Sequence, residues 1–340
     1  MNPFTFVSAR DVPAALAQLG EGTLFIAGGT NLIDLMKVNV LRPARLVDIN
    51  GLGLDAIERT SDGGLRLGAL TRNAATAYHP LVREHYPLLA SAILAGASGQ
   101  IRNMASNGGN LLQRTRCCYF YDTATPCNKR EPGAGCSAIG GLARQHAILG
   151  ASAHCIATHP SDMCVALAAL EATVQVASAR GERAIPFADF HRLPGDRPDI
   201  DTTLAQDELI IALTLPPADG FRGHSVYLKL RERLSYAFAL VSVAAALDLD
   251  GGIIRGARLV LGGVAHKPWR DPAAEALLVG QPASDASFAR SADALLQGAV
   301  PQGAGEGCNA FKIPLARRAI VRALAVATAG TVTNLGDDGR

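Results

Sequence analysis

The chain has 340 residues and a formal net charge of +2. Hydrophobic residues make up 49% of it, charged residues 18% and aromatic residues 5%, which is typical of a globular protein and excludes a disordered one. The near-zero net charge and the few aromatics argue against a nucleic-acid-binding protein, which usually presents a basic face. The length fits two domains of medium size.

The first residues of the chain and its apolar runs indicate the cellular compartment in which the protein is made. The start of the chain, Met1 to Thr5, shows no basic segment followed by an apolar one, so we expect no signal peptide. The longest strongly apolar run, residues 237–247, is too short to span a membrane. We therefore expect a protein that is made in the cytoplasm with reduced thiols. Export would then depend on a partner that carries the signal.

The first half of the chain shows short strands and helices, followed by irregular segments. We predict a strand at 24–27, a short helix at 30–36 capped by Thr30 or Asn31, strands at 45–49 and 65–69, and a helix at 81–95. Glycine and polar residues at 96–110 predict a long ordered loop. Residues 115–145 show little periodicity, and long structureless segments inside compact domains are usually functional.

The second half returns to regular patterns, divided by a Pro- and Gly-rich linker at 216–223. Before the linker we predict a strand at 146–152, a helix at 162–172, and strands at 173–177 and 208–215. After it we predict strands at 226–231, 237–249 and 256–263, then helices at 272–279, 285–298 and 310–329. The turn at 248–252 indicates an antiparallel hairpin, so this tail is predicted to be α+β.

Three turns are rich in small polar side chains, and the first two of them also contain paired glycines. They are centred on Gly28 and Gly29, on Gly108 and Gly109, and on Ser161 and Asp162. Glycine lets backbone N–H groups approach phosphate oxygens, and a following helix adds partial positive charge. None of the turns matches the Rossmann or the P-loop pattern, and one alone equally fits an ordinary strand-to-helix turn. Together they predict a ligand with a pyrophosphate and a ribose-like arm.

The cysteines are unevenly distributed. Cys117, Cys118, Cys127 and Cys136 fall within 20 residues, and Cys155 follows. Four thiolates can hold a tetrahedral zinc or an iron–sulfur cluster, and the spacing alone leaves both open, along with unliganded thiols. Cys164 and Cys308 are predicted to be buried apolar residues. The nearby basic residues are either a solvated surface or an offset for cluster charge: Arg114, Arg116, Lys129, Arg130 and Arg144.

Several segments resemble one known family. Residues 27–32, 106–110 and 160–162 resemble the flavin-binding segments of the FAD-binding medium subunit of the xanthine dehydrogenase/carbon monoxide dehydrogenase family, the molybdenum hydroxylases. The resemblance covers essentially the whole chain. It is strongest to the FAD and 4Fe-4S subunit of bacterial periplasmic aldehyde oxidoreductases, through residues 95–103, 111–117, 235–242 and 262–270.

The resemblance implies an α+β fold in two domains. Residues 1–221 would form a PCMH-type, vanillyl-alcohol-oxidase-like FAD-binding domain made of two α+β subdomains. An iron–sulfur insertion would occupy about 115–158 of that domain. Residues 222–340 would form a smaller α+β domain of the CO dehydrogenase flavoprotein C-terminal type, with an antiparallel sheet and helices.

The resemblance also implies the site residues. Residues 26–34 would wrap the FAD pyrophosphate, Asp162 would lie near the ribityl or phosphate arm, and Ile211 would pack on the flavin side. The family's flavin-proximal lysine falls at Leu240, with Lys229 or Arg231 as a substitute. The implied FAD-binding residues are Ile26, Ala27, Gly28, Gly29, Thr30, Asn31, Leu32, Ile33, Asp34, Ser106, Gly109, Asn110, Ser161, Asp162, Ile211 and Lys229.

For the metal site, the resemblance implies a 4Fe-4S cluster on Cys117, Cys127, Cys136 and Cys155. Cys118 stands where the aldehyde oxidoreductase subunit has a proline, so Cys117 is the preferred first ligand. We predict no catalytic side chain on this chain, because substrate oxidation in this family belongs to a molybdenum subunit.

The implied function is that of an electron-transfer flavoprotein subunit. It would form a heterotrimer with a molybdenum-cofactor large subunit and a 2Fe-2S small subunit, and it would deliver electrons to an external acceptor, in the periplasm. Two alternatives stay open. One is a self-contained flavin-dependent oxidase or reductase, although the scattered histidines form no obvious acid–base cluster. The other is a zinc-stabilised binding protein.

Overall fold

In the computed structural model, residues 1–331 are described, and the end of the predicted C-terminal domain, 332–340, lies outside them. The strands are β1 Thr5–Ser8, β2 Thr23–Ile26, β3 Arg45–Asp48, β4 Ile57–Arg59, β5 Leu65–Gly68, β6 Thr173–Ser178, β7 Gly181–Pro186, β8 Leu209–Leu215, β9 Ser225–Leu230, β10 Val241–Asp250, β11 Ile253–Gly262 and β12 Trp269–Arg270. The α-helices are α1 Val12–Ala17, α2 Leu32–Lys37, α3 Asn73–Tyr78, α4 Pro80–His85, α5 Pro87–Ala95, α6 Gly99–Met104, α7 Asn107–Leu111, α8 Cys118–Tyr121, α9 Asp162–Ala169, α10 Phe187–Phe190, α11 Pro272–Ala276, α12 Asp285–Leu295 and α13 Lys312–Ala329.

The amino-terminal sheet has three parallel strands in the order β1-β3-β2. The central strand β3 is the most protected, with Val47 fully buried. Val47 packs in an apolar cluster with Leu70 and with Leu209 and Ile211 of β8, so this small sheet is anchored to the next one. The turn after β2 therefore begins at a fixed place beside the second sheet.

The second sheet has five antiparallel strands in the order β4-β5-β8-β6-β7. Helices α5 and α9 pack on one another and help to form the apolar core that this sheet shares. Both helices are apolar nearly all round, which is the pattern of a helix buried on every side. The amino end of α9 is thereby held in the interior, where it carries the third polar turn.

The C-terminal sheet is antiparallel in the order β12-β11-β10-β9 and is covered by α12 and α13. The predicted hairpin is confirmed: β10 and β11 are joined through Gly251 and Gly252, both with positive φ. Helix α13 places one apolar stripe against the sheet, including Ile320 and Leu324. Three sheets with helices packed on them confirm the α+β class.

Some local predictions were wrong. Residues 96–110 are not a loop but contain α6 and α7, because the hydroxyls of Ser98 and Ser106 cap two short helices. Residues 146–152 form no strand, since Ile148 N and Leu149 N both donate to the single carbonyl of Val264 instead of joining a ladder. The predicted helix at 81–95 is broken in two at Tyr86, before Pro87.

Within residues 1–331, none of the helices is both long enough and apolar enough to cross a bilayer.

Candidate functional site

A cavity of about 720 Å³ lies where the turn after β2, helices α6 and α7, the start of α9 and strands β8 and β9 meet. Its volume is in the range of cofactor and ligand sites in proteins, about 300–1,000 Å³. The structure brings the three polar turns together around it, although they are far apart in the chain. All sixteen predicted FAD-binding residues line the cavity except Ile33 and Ile211.

The two exceptions have simple packing reasons. Ile33 lies on the outside of α2, where its Cδ1 covers the position at which Gly29 would carry a side chain. Ile211 points into the apolar cluster between the first two sheets, while its neighbours Leu209 and Ile210 reach the cavity. The pairing of β8 with β6 shifts register at this point and leaves Ile211 without a partner on β6, and Ile210 lines the cavity in its place.

The turn after β2 has no room for side chains. A Cβ on Gly28 would lie 1.9 Å from the backbone oxygen of Met104, so the 26–31 turn and the end of α6 touch through their backbones. Gly29 has a φ of +71°, which other residues adopt at a cost, and a Cβ there would lie 2.7 Å from Ile33 Cδ1. The two glycines therefore shape a cradle in which backbone groups face the cavity directly.

Three hydrogen-bond donors of the cavity residues are buried without a partner: Asn31 Nδ2, Arg102 Nε and Arg116 Nε. Asn31 stands at the N-cap position of α2, but its side chain does not cap the helix; its Oδ1 accepts from the backbone N–H of Arg114, at 2.9 Å. A buried donor without an acceptor costs about 1–3 kcal/mol. The three residues themselves line the cavity, and the positive charge of the two arginines suits an anionic group such as a pyrophosphate.

Two of these donors were absent from the predicted site. Arg102 sits on α6, in a segment that was expected to be a loop, and Arg116 was counted only among the basic residues near the cysteines. The signal that could have found them is their position beside polar turns, combined with the charge of a pyrophosphate.

The second and third turns are connected through side chains. The hydroxyl of Ser161 donates to Asn110 Oδ1 at 2.5 Å, and Asn110 Nδ2 donates to Asn73 Oδ1 at 2.7 Å. Ser106 Oγ accepts from the backbone N–H of Gly109, at 3.3 Å. This network fixes both turns in one orientation, so the cavity wall is preorganised.

A buried ion pair closes one side of the cavity. Lys229 Nζ donates to Asp162 Oδ2 at 2.8 Å, and the hydroxyl of Tyr227 donates to Asp162 Oδ1 at 2.6 Å. Burial, reinforced by the carboxylate of Asp162, raises the pKa of Tyr227 well above its ordinary value. The lysine of the cavity is thus Lys229 on β9, whereas Leu240 is buried and does not line it.

Replacing Asp162 with asparagine should lower the free energy of unfolding by about 3–5 kcal/mol, because the charge of Lys229 would stay buried without its partner. Urea unfolding followed by circular dichroism measures the change. Asp250→Asn is the matched control: its ion pair with Arg255 lies on the surface and should contribute less than about 1 kcal/mol. An Asp162 variant as stable as the control would show that the buried pair has no such role.

The four predicted cluster cysteines converge in space. Cys127 and Cys136 face each other across an isolated antiparallel bridge. Cys117 packs between two small apolar clusters, one of which contains Cys127 while the other contacts Cys136. Cys155 is buried, and both Cys127 and Cys136 are close enough to influence the charge on its thiol. Cys118, in contrast, is exposed.

Two side chains that follow Cys127 hold the other cysteine segments in place. Asn128 Nδ2 donates to the carbonyl of His154, next to Cys155, at 3.0 Å, and Asn128 Oδ1 accepts from Gly135 N, next to Cys136, at 2.8 Å. The guanidinium of Arg130 donates to the carbonyls of Tyr119, Phe120 and Thr125, around the segment that begins at Cys117. Sequence analysis assigned Asn128 no role and counted Arg130 only as charge, because their partners are set by the fold.

The cysteine thiols are strongly desolvated. Burial raises the pKa of Cys117 to about 12 and that of Cys155 to about 11. Thiolates at these positions therefore need a compensating positive charge, such as that of a metal. The ammonium of Lys129 is buried near Cys155, where its charge partly offsets the effect of burial on that thiol, and it pairs with Asp201. Burial would raise the pKa of Asp201, but Lys129 and Arg114 outweigh it and hold that pKa well below its usual range.

The sulfur spacing separates two kinds of metal site. In a tetrahedral zinc site with bonds of about 2.3 Å, the sulfurs lie about 3.8 Å apart. Among residues 1–331, the one set of three possible ligand atoms within 4.8 Å of one another is His159, Cys164 and His191, so no three of the four predicted cysteines are that close. A cubane takes each thiolate on a different iron and accepts a wider spacing.

A family model, the FAD binding domain in molybdopterin dehydrogenase, matches residues 2–218. The chain belongs to this family. A second model, the CO dehydrogenase flavoprotein C-terminal domain, matches residues 226–327. The match confirms the family that the sequence resembles, and it supports the binding of FAD by this chain.

Curated relatives and solved structures agree with this assignment. The chain is 52% identical to the aldehyde oxidoreductase FAD-binding subunit PaoB of Escherichia coli (strain K12), over 97% of this chain and 99% of that protein. It is 30% identical to the glyceraldehyde dehydrogenase medium chain of Sulfolobus acidocaldarius, over 83% of each chain. Its fold is similar to that of a chain of carbon monoxide dehydrogenase from Hydrogenophaga pseudoflava, with a TM-score of 0.75, 25% identity and coverage of 96% of this chain and 98% of that one.

Proposed function

We propose that the chain is the electron-transfer flavoprotein subunit of a heterotrimeric, molybdenum-containing aldehyde oxidoreductase and that it holds both FAD and a 4Fe-4S cluster. One observation carries the proposal: the flavin cavity adjoins the cysteine site. A second cavity of about 280 Å³ contains Cys117 and Cys118 and shares Arg116, Ser161 and Asp162 with the flavin cavity. Two redox groups held here would be neighbours.

When bound, the flavin and the cluster supply the redox chemistry, while the protein supplies position and electrostatics. The Gly28–Gly29 cradle would hold the pyrophosphate against the backbone, and the cavity-lining residues Asn31, Arg102 and Arg116 would supply polar and positively charged groups near it. The pair of Asp162 and Lys229 closes the wall without an unbalanced charge. These residues bind and orient FAD, and none of them needs to react.

A 4Fe-4S cluster on Cys117, Cys127, Cys136 and Cys155 is favoured over zinc, because among the described residues no three of these sulfurs lie within 4.8 Å of one another, as a tetrahedral zinc site needs. The cluster is also favoured over four thiols without a metal, because the cysteines converge from separate parts of the chain. Asn128 and Arg130 connect the segments that carry them. Cys117 is favoured over Cys118 as the first ligand because it faces the other cysteines while Cys118 faces solvent.

The partners and the compartment belong to the same proposal. The likeness to an aldehyde oxidoreductase subunit supports a molybdenum-cofactor large subunit and a 2Fe-2S small subunit as partners, an aldehyde as substrate on the large subunit, and an external electron acceptor. Location in the periplasm would follow if the large subunit carries the export signal. The likeness to a subunit of an aldehyde oxidoreductase disfavours a self-contained oxidase, and the buried residues Asp162 and Lys229 at the cavity are paired with each other.

The test is co-expression of the chain with the two partner subunits, followed by flavin and iron analysis and reduction by an aromatic aldehyde. The proposal expects one FAD and about four irons on this chain, and bleaching of the flavin absorbance by aldehyde only in the complete complex. Zinc in place of iron would contradict the cluster. Aldehyde turnover by the isolated chain would contradict the role as an electron-transfer subunit.

A further inference from the structure

One histidine touches the sulfur of a predicted cluster ligand. His146 Nε2 lies 3.1 Å from Cys117 Sγ, which is short for a hydrogen bond to sulfur. The imidazole is buried, with 5% of its surface exposed, and its other nitrogen, Nδ1, is buried without a partner. The ring is therefore directed at the sulfur and not at water or at another side chain.

The chemistry of the contact decides which atom is the donor. A metal-bound thiolate carries no proton and can only accept, so an attractive contact requires the proton of the imidazole to be on Nε2. The opposite tautomer would point a nitrogen lone pair at a negatively charged sulfur. Hydrogen bonds to ionised acceptors are stronger than those between neutral groups, and here the donor, His146, is buried while Cys117 is partly buried.

The backbone of His146 is held by the C-terminal domain. Its carbonyl accepts from Lys312 Nζ at 2.8 Å and from Asn309 Nδ2 at 3.0 Å. Both residues are fully buried: Lys312 is the first residue of α13, and Asn309 lies in the turn before it. Lys312 also donates to the carbonyl of Gly263, at 2.5 Å, so the histidine is fixed between the insertion and the C-terminal sheet.

A second histidine provides a contrast. His266 Nε2 lies 4.0 Å from Cys155 Sγ, at the outer limit for a hydrogen bond to sulfur. Both rings are buried to a similar degree, with 5% and 6% exposed. Cys117 thus has a close donor, while the corresponding contact at Cys155 is much weaker.

We propose that His146 is a positioning residue that donates a hydrogen bond from Nε2 to the Cys117 thiolate and thereby raises the reduction potential of the cluster. This inference rests on the proposed function, since it requires a 4Fe-4S cluster on Cys117. Hydrogen bonds to cluster sulfurs favour the reduced form, because reduction adds one negative charge to the cluster and its thiolates. A role that only fills space would leave the potential unchanged.

The test is an EPR-monitored redox titration of the assembled complex carrying His146→Leu, with iron content measured on the same sample. At a fixed potential, the ratio of reduced to oxidised cluster should fall about tenfold, which is about 59 mV for a one-electron couple. His146→Gln, which keeps an N–H, should recover at least part of the loss. His266→Leu is the matched control and should change the ratio much less.

A second measurement keeps the inference testable if the leucine variant fails to assemble. In the unaltered complex with ¹⁵N-labelled histidine, electron–nuclear double resonance of the reduced cluster should detect one close, exchangeable proton together with coupling to a histidine nitrogen. Absence of that coupling, or a fully loaded His146→Leu complex with an unchanged potential, would overturn the inference. An unaltered complex without iron would instead refute the proposed function.

Discussion

Replacing Gly28 with alanine should weaken FAD binding by about tenfold, since relieving an overlap of this kind typically costs about 1–3 kcal/mol. The added Cβ would lie 1.9 Å from the backbone oxygen of Met104, and backbone cannot rotate away as a flexible side chain would. The 26–31 turn and the end of α6 would have to separate, which would open the cradle. Flavin content per chain, from absorbance after denaturation, and FAD titration of the apoprotein measure the effect.

Gly20→Ala is the matched control for this variant. Gly20 has no heavy atom within 4 Å of the added Cβ, so the same chemical change meets open space there. Its flavin content should equal that of the unaltered chain. A Gly28→Ala protein that retains full FAD occupancy would show that the close backbone contact does not shape the binding site.

Replacing Cys127 with serine should remove most of the iron from the chain and abolish the 4Fe-4S signal in low-temperature EPR of the reduced complex. Cys127 is buried, and its backbone pairs with that of Cys136 in an isolated β-bridge. A missing thiolate at this place therefore cannot be supplied by solvent or by a flexible neighbour. Serine is a poor substitute because clusters are held by thiolates. Iron analysis and quantitative EPR on the complex purified under anaerobic conditions test this expectation.

Cys118→Ser serves as the control, because it changes the same atom at an exposed cysteine next to Cys117. It should keep both the iron and the signal. The same pair of variants tests which cysteine is the first ligand. A loss of iron in Cys118→Ser but not in Cys117→Ser would show that Cys118, and not Cys117, binds the cluster. FAD content should stay unchanged in the Cys127 variant, since its thiol does not line the flavin cavity.

The sequence by itself determined the short-range features of this protein, such as its polar turns and its C-terminal hairpin, and the chemical class of ligand that the turns suit. Glycines beside small polar residues marked two of the turns, and a hydroxyl and a carboxylate at a helix start marked the third, because backbone approach and donor chemistry are local properties of residue type. The apolar run at 237–247 and the turn at 248–252 located β10 and its hairpin with β11. The family resemblance then added the cofactor and the cysteine set, and the family, the α+β fold and FAD binding are confirmed.

Only the tertiary structure decided contacts between segments that are distant in the chain. The face of β8 turned toward the cavity depends on its register with β5 and β6, so Ile210 and not Ile211 lines it. Lys229 reaches Asp162 because β9 packs beside the start of α9. The contact of His146 with Cys117 depends on Lys312, which follows it by 166 residues. Such pairings are set by packing and buried hydrogen bonds, which no local pattern of residues encodes.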